Sequence, residues 1–283
     1  MNPSTRAPHN HLQYGLSGCR LHLLSPSLIR KQAQDNYKQR LAQQCRKQQQ
    51  FERVTYNHIA IPRILDTGTD FFDMEYIPSS SFQQYFHRAG RRDVLFIFDA
   101  LQEFIDSLIQ KQKPYPQAET LIREKLAAIE KNTQYTDFVH ALQQQDYDFS
   151  SVPQSPCHGD LTLSNMLFLD KKIYFIDFLD SFLNSFLIDL AKLKQDLCYF
   201  WSAHIQGSRS LRVYQIKRFL WSKIQARYEQ YLSTDVYALI DAMNILRIEP
   251  YLKEPRQKAI LRTILTQTPA YEYIAHTYGW KVS

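Results

Sequence analysis

The chain has 283 residues, a net charge of +6, 44% hydrophobic residues and 13% aromatics. That is enough apolar material for one large domain or two lobes, and with only 7 glycines it excludes a disordered composition. No run approaches the ~18 apolar residues of a membrane-spanning helix, and the polar stretch Met1–Gln13 lacks the apolar centre of a signal peptide.

Four scattered cysteines (Cys19, Cys45, Cys157, Cys198) fit neither a zinc site nor a disulfide framework. Reduced thiols in a cytoplasmic protein are therefore expected. Charge is uneven: residues 78–205 are net −4, whereas residues 206–283 carry 12 Lys/Arg against 6 Asp/Glu. Such a basic balance suits ATP, an anionic acceptor, a nucleic acid or a membrane surface.

In chain order, residues 1–13 read as a flexible lead. Tyr14 to Gln32 reads as the opening strands of an N-terminal lobe. Gly15-Leu-Ser-Gly18 is a tight turn, either a plain hairpin or a loop whose N–H groups approach phosphate. Ser27 to Gln32 is a short strand carrying Arg30 and Lys31. Asp35 to Val54 is a Gln-rich, mostly solvent-facing helix, with Tyr37, Leu41 and Cys45 forming a narrow apolar stripe. Glu52 is its only glutamate. Pro62 makes Ile61–Leu65 an edge strand. Asp66–Asp70 is a turn in which Gly68 suits a positive φ. Phe71–Ile77 is a strand that Pro78 stops.

Beyond Ser79-Ser-Ser81 the period changes. Val94, Ile97, Phe98, Leu101, Phe104, Ile105, Leu108 and Ile109 keep the spacing of a long core helix. Helices over 117–131 and 138–145 follow. Met166–Leu169 and Ile173–Phe178 then read as two strands joined by the polar turn Asp170-Lys171-Lys172. A further helix begins at Phe186, and residues 212–283 read as several more. Arg247-Ile-Glu-Pro-Tyr251 interrupts one of these and reads as an acceptor-facing corner. The expected lobes are 14–77 for nucleotide binding and 78–283 for catalysis and the acceptor.

The densest chemical signal is His158-Gly-Asp-Leu-Thr-Leu-Ser-Asn165, followed by Ile176-Asp177-Phe178. Phosphoryl transfer needs one residue to orient an attacking hydroxyl and others to hold metal ions on the nucleotide phosphates. Mg²⁺ usually takes one or two carboxylates and completes its shell with phosphate and water. Asp160, Asn165 and Asp177 meet both needs, and the hairpin is expected to return Asp177 beside Asn165. Taken singly, an Asp or Asn at a strand end is a turn or a cap. The full constellation between apolar strands points to catalysis.

This pattern resembles the aminoglycoside phosphotransferase and choline kinase superfamily, whose members phosphorylate small molecules. The resemblance implies an α+β, bilobal protein-kinase-like fold, with a small antiparallel sheet in the N-lobe and a mainly helical C-lobe. It implies Asp160 as catalytic base, Asn165 and Asp177 as metal ligands, and His158 as a loop-organising residue. Gly159 stands where protein kinases carry arginine. Asp189, in Asp-Leu-Ala, would support the loop through backbone hydrogen bonds. Lys31, with Arg30 as the alternative, would contact the α/β-phosphates and pair with Glu52. Met74, Glu75, Tyr76 and Ile77 match the segment joining the lobes, where backbone groups read the adenine edge. The implied cofactors are ATP, with GTP open, and Mg²⁺.

The implied partner is a small-molecule hydroxyl acceptor. The positive C-terminal third opposes a polycationic aminoglycoside by Coulomb repulsion and suits a neutral or anionic sugar or glycan precursor. Tyr199, Trp201, Tyr251, Tyr271, Tyr273 and Trp280 offer the aromatics of a choline cage, although core packing explains them equally. A protein kinase is disfavoured because no Ala-Pro-Glu element follows Asp177. No nucleic-acid module is visible, so no nucleic-acid partner is expected. A kinase-fold binding protein without activity is the remaining alternative.

Overall fold

A computed structural model describes residues 13–14, 18–205, 207 and 210–278. Residues 1–12 of the expected lead over 1–13, Gly15 to Ser17 of the proposed glycine turn, and Trp280 lie outside the described residues, whereas Gln13 opens the first strand. The chain forms two compact units: Met1–Ser80 with Leu167–Asp180, and Ser81–Met166 with Ser181–Ser283. The hairpin around Asp170, expected with the second lobe, clusters with the first unit.

In the first unit, β1 (Gln13–Tyr14), β2 (Cys19–Ser25) and β3 (Leu28–Ala33) are followed by α1 (Lys38–Glu52). Then come β4 (Ile59–Ala60), β5 (Ile64–Thr67) and β6 (Phe71–Glu75). Five strands make an antiparallel sheet ordered β1-β2-β3-β6-β5. Its buried cluster is Cys19, Ala33, Leu41, Cys45, Phe72 and Met74, so the apolar stripe of α1 covers one sheet face.

That helix is less solvent-facing than its composition implies, because Gln44, Lys47 and Gln48 are also buried. Long polar side chains can turn inward when their heads meet backbone oxygens. Lys47 Nζ donates to the Leu179 carbonyl at 2.5 Å and Gln48 Nε2 to the Pro62 carbonyl at 2.8 Å.

Gly68 does not take the positive φ expected of it. The position is small for another reason: a Cβ there would lie 2.3 Å from the Phe71 ring. Gly18, by contrast, does take a positive φ, +70, and the Tyr37 ring lies 2.4 Å from where a Cβ would sit.

The hairpin strands Met166–Leu169 and Lys172–Phe175 turn through Asp170, at φ 54. Lys172–Phe175 is the middle strand of a three-stranded sheet and pairs in parallel with β4. Phe178 stacks on Phe51 of α1 with centroids 4.8 Å apart. These contacts explain why the hairpin belongs to the first unit. The second strand ends at Phe175 rather than Phe178, leaving Asp177 in irregular backbone.

The second unit is helical. Ser81 caps α2 (Phe82–Arg88) through a reciprocal box with Gln84. α3 (Arg91–Ile109) buries Ile97, Leu101, Phe104, Ile105 and Leu108 completely. Each such side chain contributes roughly 1.5–3 kcal/mol relative to exposure. α4 (Ala118–Glu130) and α5 (Thr136–Gln143) follow. After the hairpin come α6 (Phe186–Leu197), α7 (Trp201–Ile205), α8 (Leu211–Leu232) and α9 (Asp235–Leu246). The chain closes with α10 (Pro255–Leu265) and α11 (Pro269–Tyr278). All twelve residues of α6 are buried, which makes it the central helix of this unit. Among the described residues no helix is long and apolar enough to cross a membrane.

Candidate active site

The His158–Asn165 loop belongs to the second unit and is held against α6 at several points. Gly159 sits at φ 87, a conformation that costs most L-residues about 1–2 kcal/mol and glycine nothing comparable. That geometry turns two successive N–H groups toward one acceptor. His158 N and Gly159 N donate to the two oxygens of Asp189, at 2.6 and 2.8 Å. Asp189 is fully buried, so these charge-assisted bonds have no competing water. The His158 ring is buried edge-on against Phe104, and its Nδ1 accepts from Asp160 N at 3.2 Å. Further along, Leu163 N donates to Asp196 Oδ2 at 2.8 Å.

Asp160 emerges from this braced loop with its two oxygens held by different partners. Lys192 Nζ lies 2.9 Å from Oδ1. Asn165 Nδ2 donates to Oδ2 at 3.0 Å and to the Asp160 carbonyl at 2.8 Å. Burial alone would raise the Asp160 pKa. The Lys192 cation and its hydrogen bond, helped by Arg247 and His158, more than reverse this and hold it at about 2. Lys192 is pushed the other way: burial lowers it to about 8 despite the attraction of Asp160, with Arg247 adding repulsion. The carboxylate is therefore ionised at neutral pH, and each oxygen keeps lone-pair capacity for a further donor.

In the first unit, Lys31 and Asp177 form the counterpart. Lys31 is buried on β3, and its Nζ meets Asp177 Oδ1 at 2.5 Å. The Asp177 side chain stays 38% exposed, and its backbone takes φ 61. A non-glycine residue in the left-handed region costs stability and concentrates at functional sites. Arg30, the alternative to Lys31, is otherwise engaged: its guanidinium holds Asp73 at 2.7 and 2.9 Å and stacks over Phe71 at 3.7 Å.

Glu52 requires a correction. It is the last residue of α1, and its carboxylate accepts from Ile64 N at 3.2 Å, while the counter-ion of Lys31 is Asp177. The buried polar residues of α1 are Gln44, Lys47 and Gln48, so no glutamate lies on its buried face. Met74 is buried at the end of β6, where Gln48 Nε2 lies 3.6 Å from its sulfur. Glu75 faces Arg63, whose Nε donates to it at 2.7 Å, and Tyr76 N donates to the Ser27 carbonyl at 2.9 Å. Ile77 follows as half-buried irregular chain.

Lys192 and Asp196 carry no expectation from the sequence, and Arg247 entered only as the start of an acceptor-facing corner. Asp189, Lys192 and Asp196 recur at i, i+3 and i+7, one face of a helix. Four charged residues (Asp189, Lys192, Lys194, Asp196) inside one apolar helical run were the available signal, since charges are rarely buried unless paired.

Glu249 is buried and accepts from Gln134 N at 3.3 Å and from the Thr133 hydroxyl, so it ties the turn between α4 and α5. Of the aromatics, Tyr199 is buried with its hydroxyl donating to Asp241 at 2.6 Å, and Tyr271 packs on Phe138. Tyr251 is exposed. Cys157 is buried, with Leu183 as its neighbour.

Each unit by itself offers a hard oxygen that suits the Mg²⁺ of a nucleotide, Asn165 in the second and Asp177 in the first. Among the described residues no group of three or more His, Cys, Asp or Glu could hold a metal by itself. A Mg²⁺ ion that arrives on phosphates needs only one or two protein oxygens. Asn165 has its amide nitrogen on Asp160, and the atom it offers a hard cation is the amide oxygen. Asp177 offers a partly exposed carboxylate.

A small antiparallel sheet with one covering helix, a helical second unit and a loop-held Asp160/Asn165 pair define a kinase-like phosphotransferase. The profile of the phosphotransferase enzyme family matches residues 27–227, and the chain belongs to that family. No curated protein matches its sequence.

Several solved structures share the fold. ADP-bound aminoglycoside phosphotransferase APH(2'')-Ib is 15% identical over 92% of each chain, with a TM-score of 0.60. The streptomycin–ATP complex of APH(2")-IIa is 15% identical, covers 93% of this chain and 92% of its own, and has a TM-score of 0.52. A putative fructosamine-3-kinase from Haemophilus somnus 129PT is 14% identical over 91% of each chain, with a TM-score of 0.53. The antiparallel sheet and the helical remainder are the architecture that the sequence resemblance implied.

Proposed function

We propose that this phosphotransferase moves the γ-phosphate of ATP to a hydroxyl of a small neutral or anionic molecule of the sugar or glycan-precursor class. The observation that carries the reading is the Asp160 carboxylate, ionised and fixed by Lys192 and Asn165 on a loop tied to α6. Asp160 accepts the hydrogen of the acceptor hydroxyl and aims its oxygen. Lys31 takes the α/β-phosphates, and Met74 to Ile77 lie along the adenine. Asn165 and Asp177 are the metal ligands. Bound Mg²⁺ supplies neutralisation of the charge that develops on the phosphate oxygens. Positioning and fixed charge then carry most of the catalysis, as this loose transition state requires.

The acceptor class rests on charge. Arg247 sits where its cation stabilises ionised Asp160, and the last 78 residues are net +6. A polycation would meet repulsion there. Tyr199 and Tyr271, two members of the choline cage considered above, are engaged in packing.

The test is transfer of label from γ-labelled ATP or GTP, with Mg²⁺, to a panel of neutral sugars, sugar phosphates, amino alcohols and aminoglycosides. Asp160→Asn serves as control. Labelled neutral or anionic products that vanish in Asp160→Asn support the proposal. Aminoglycosides as the best acceptors would overturn the acceptor class. No product with any class would favour a binding protein.

A further inference from the structure

The structure assigns to Lys192 a role in the reaction: we infer that it is the positioning residue for Asp160, acting from α6 in place of a cation on the catalytic loop itself. The inference rests on the phosphotransfer reading of Asp160. The loop between Asp160 and Asn165 is Leu-Thr-Leu-Ser and contains no cation. The cation beside the carboxylate arrives instead from a helix more than twenty-five residues downstream, with Nζ 2.9 Å from Oδ1.

Three features show that the contact is built in. Lys192 is buried, so its ammonium is held by protein groups rather than water. Its other neighbour is Gln195 Oε1 at 3.4 Å, and that oxygen is fixed in turn by Asn244 Nδ2 at 2.9 Å. Lys192 also shares a helix face with Asp189 and Asp196, which hold His158 N, Gly159 N and Leu163 N. One rigid face of α6 therefore fixes the loop backbone on both sides of Asp160 and its reactive carboxylate as well.

The consequence is mechanistic. With Oδ1 on Lys192 and Oδ2 on Asn165, the Asp160 side chain cannot rotate without breaking both contacts. A carboxylate so paired is a weak base, and it serves by orienting the hydroxyl rather than by early removal of its proton. A loose phosphoryl-transfer transition state makes little demand on proton removal. Loss of Lys192 should thus harm turnover and leave nucleotide affinity intact.

The experiment uses the full chain with MgATP and, as acceptor, water, followed by release of inorganic phosphate. Wild type, Lys192→Met, Lys192→Arg and Asp160→Asn are compared, and MgATP affinity is measured by calorimetry. Lys192→Met should slow release at least tenfold with the MgATP Kd within about twofold, roughly 0.4 kcal/mol. Lys192→Arg should restore most of the rate.

A Lys192→Met rate within threefold of wild type overturns the inference. So does a fall in rate accompanied by loss of MgATP binding and no rescue by arginine, which marks a structural lysine. If Asp160→Asn keeps its rate, the phosphotransfer reading itself fails. If Asp160→Asn is inactive beside an unaffected Lys192→Met, only this inference fails.

A second readout needs neither turnover nor a folded methionine variant. The side-chain ammonium resonance of Lys192, assigned by its loss in Lys192→Arg, should be protected from exchange in wild type. It should shift in Asp160→Asn. An ammonium signal that Asp160→Asn leaves unmoved overturns the inference.

Discussion

Replacing Asp189 by alanine is the sharpest perturbation the structure offers, because one fully buried carboxylate satisfies two buried backbone donors. Its oxygens accept His158 N at 2.6 Å and Gly159 N at 2.8 Å. A hydrogen bond to a charged group contributes about 1.5–3 kcal/mol, and each buried N–H left without a partner carries its desolvation cost. Two such losses give roughly 3–6 kcal/mol for Asp189→Ala. Asparagine keeps one acceptor oxygen, so Asp189→Asn should lose about half as much. At about 2–4 °C per kcal/mol for a domain of this size, the alanine variant should melt roughly 6–24 °C lower. Urea unfolding read by intrinsic fluorescence gives the free energy, and calorimetry gives the midpoint. Asp189→Ala within about 1 kcal/mol of wild type, or Asp189→Asn worse than Asp189→Ala, would refute the reasoning that this carboxylate braces the loop.

Further outcomes follow from other contacts. Lys217→Met should destabilise by about 3–5 kcal/mol, because it leaves buried Asp196 without the ammonium 2.9 Å from its Oδ1, and chemical denaturation would measure the loss. Gly18→Ala should cost about 1–3 kcal/mol, since φ +70 is strained for alanine and the Tyr37 ring occupies the Cβ position. A melt unchanged by that substitution would contradict the packing described. For pH, Lys192 is charged below about 8 and neutral above it, whereas Asp160 stays ionised down to about 2. Turnover should therefore fall as pH rises through 8, and Lys192→Arg, whose guanidinium does not titrate in this range, should remove that fall. A wild-type alkaline limb that Lys192→Arg leaves in place would remove Lys192 as its source.

Much of this was legible from residue order. The breaker Pro78 bounded β6, and the 3, 4, 7 spacing located α3, which buries one continuous apolar face. The motif from His158 to Asn165 was visible because its spacing is local. What escaped depends on contacts distant in sequence. Glu52 looked like the partner of Lys31 since it was the only glutamate on its helix, yet Asp177, 146 residues away, holds the lysine. The Gln-rich helix read as solvated because glutamine is usually exposed, whereas carbonyls from elsewhere in the chain receive Lys47 and Gln48. Lys192 and Asp196 drew no expectation because nothing in α6 itself reveals that their partners lie in the loop before the hairpin. Gly68 was correctly a position for glycine, but its cause is the Phe71 ring rather than backbone conformation.

The proposed function puts Asp177 and Lys31 in a metal-nucleotide site. Its most direct test is calorimetric titration of ATP into wild type and Asp177→Ala, with and without Mg²⁺. Mg²⁺ should tighten ATP binding to wild type by at least tenfold, about 1.4 kcal/mol, and Asp177→Ala should abolish this gain while the protein stays folded. ATP affinity that is indifferent to Mg²⁺ in wild type, or a Mg²⁺ gain that survives in Asp177→Ala, would contradict it.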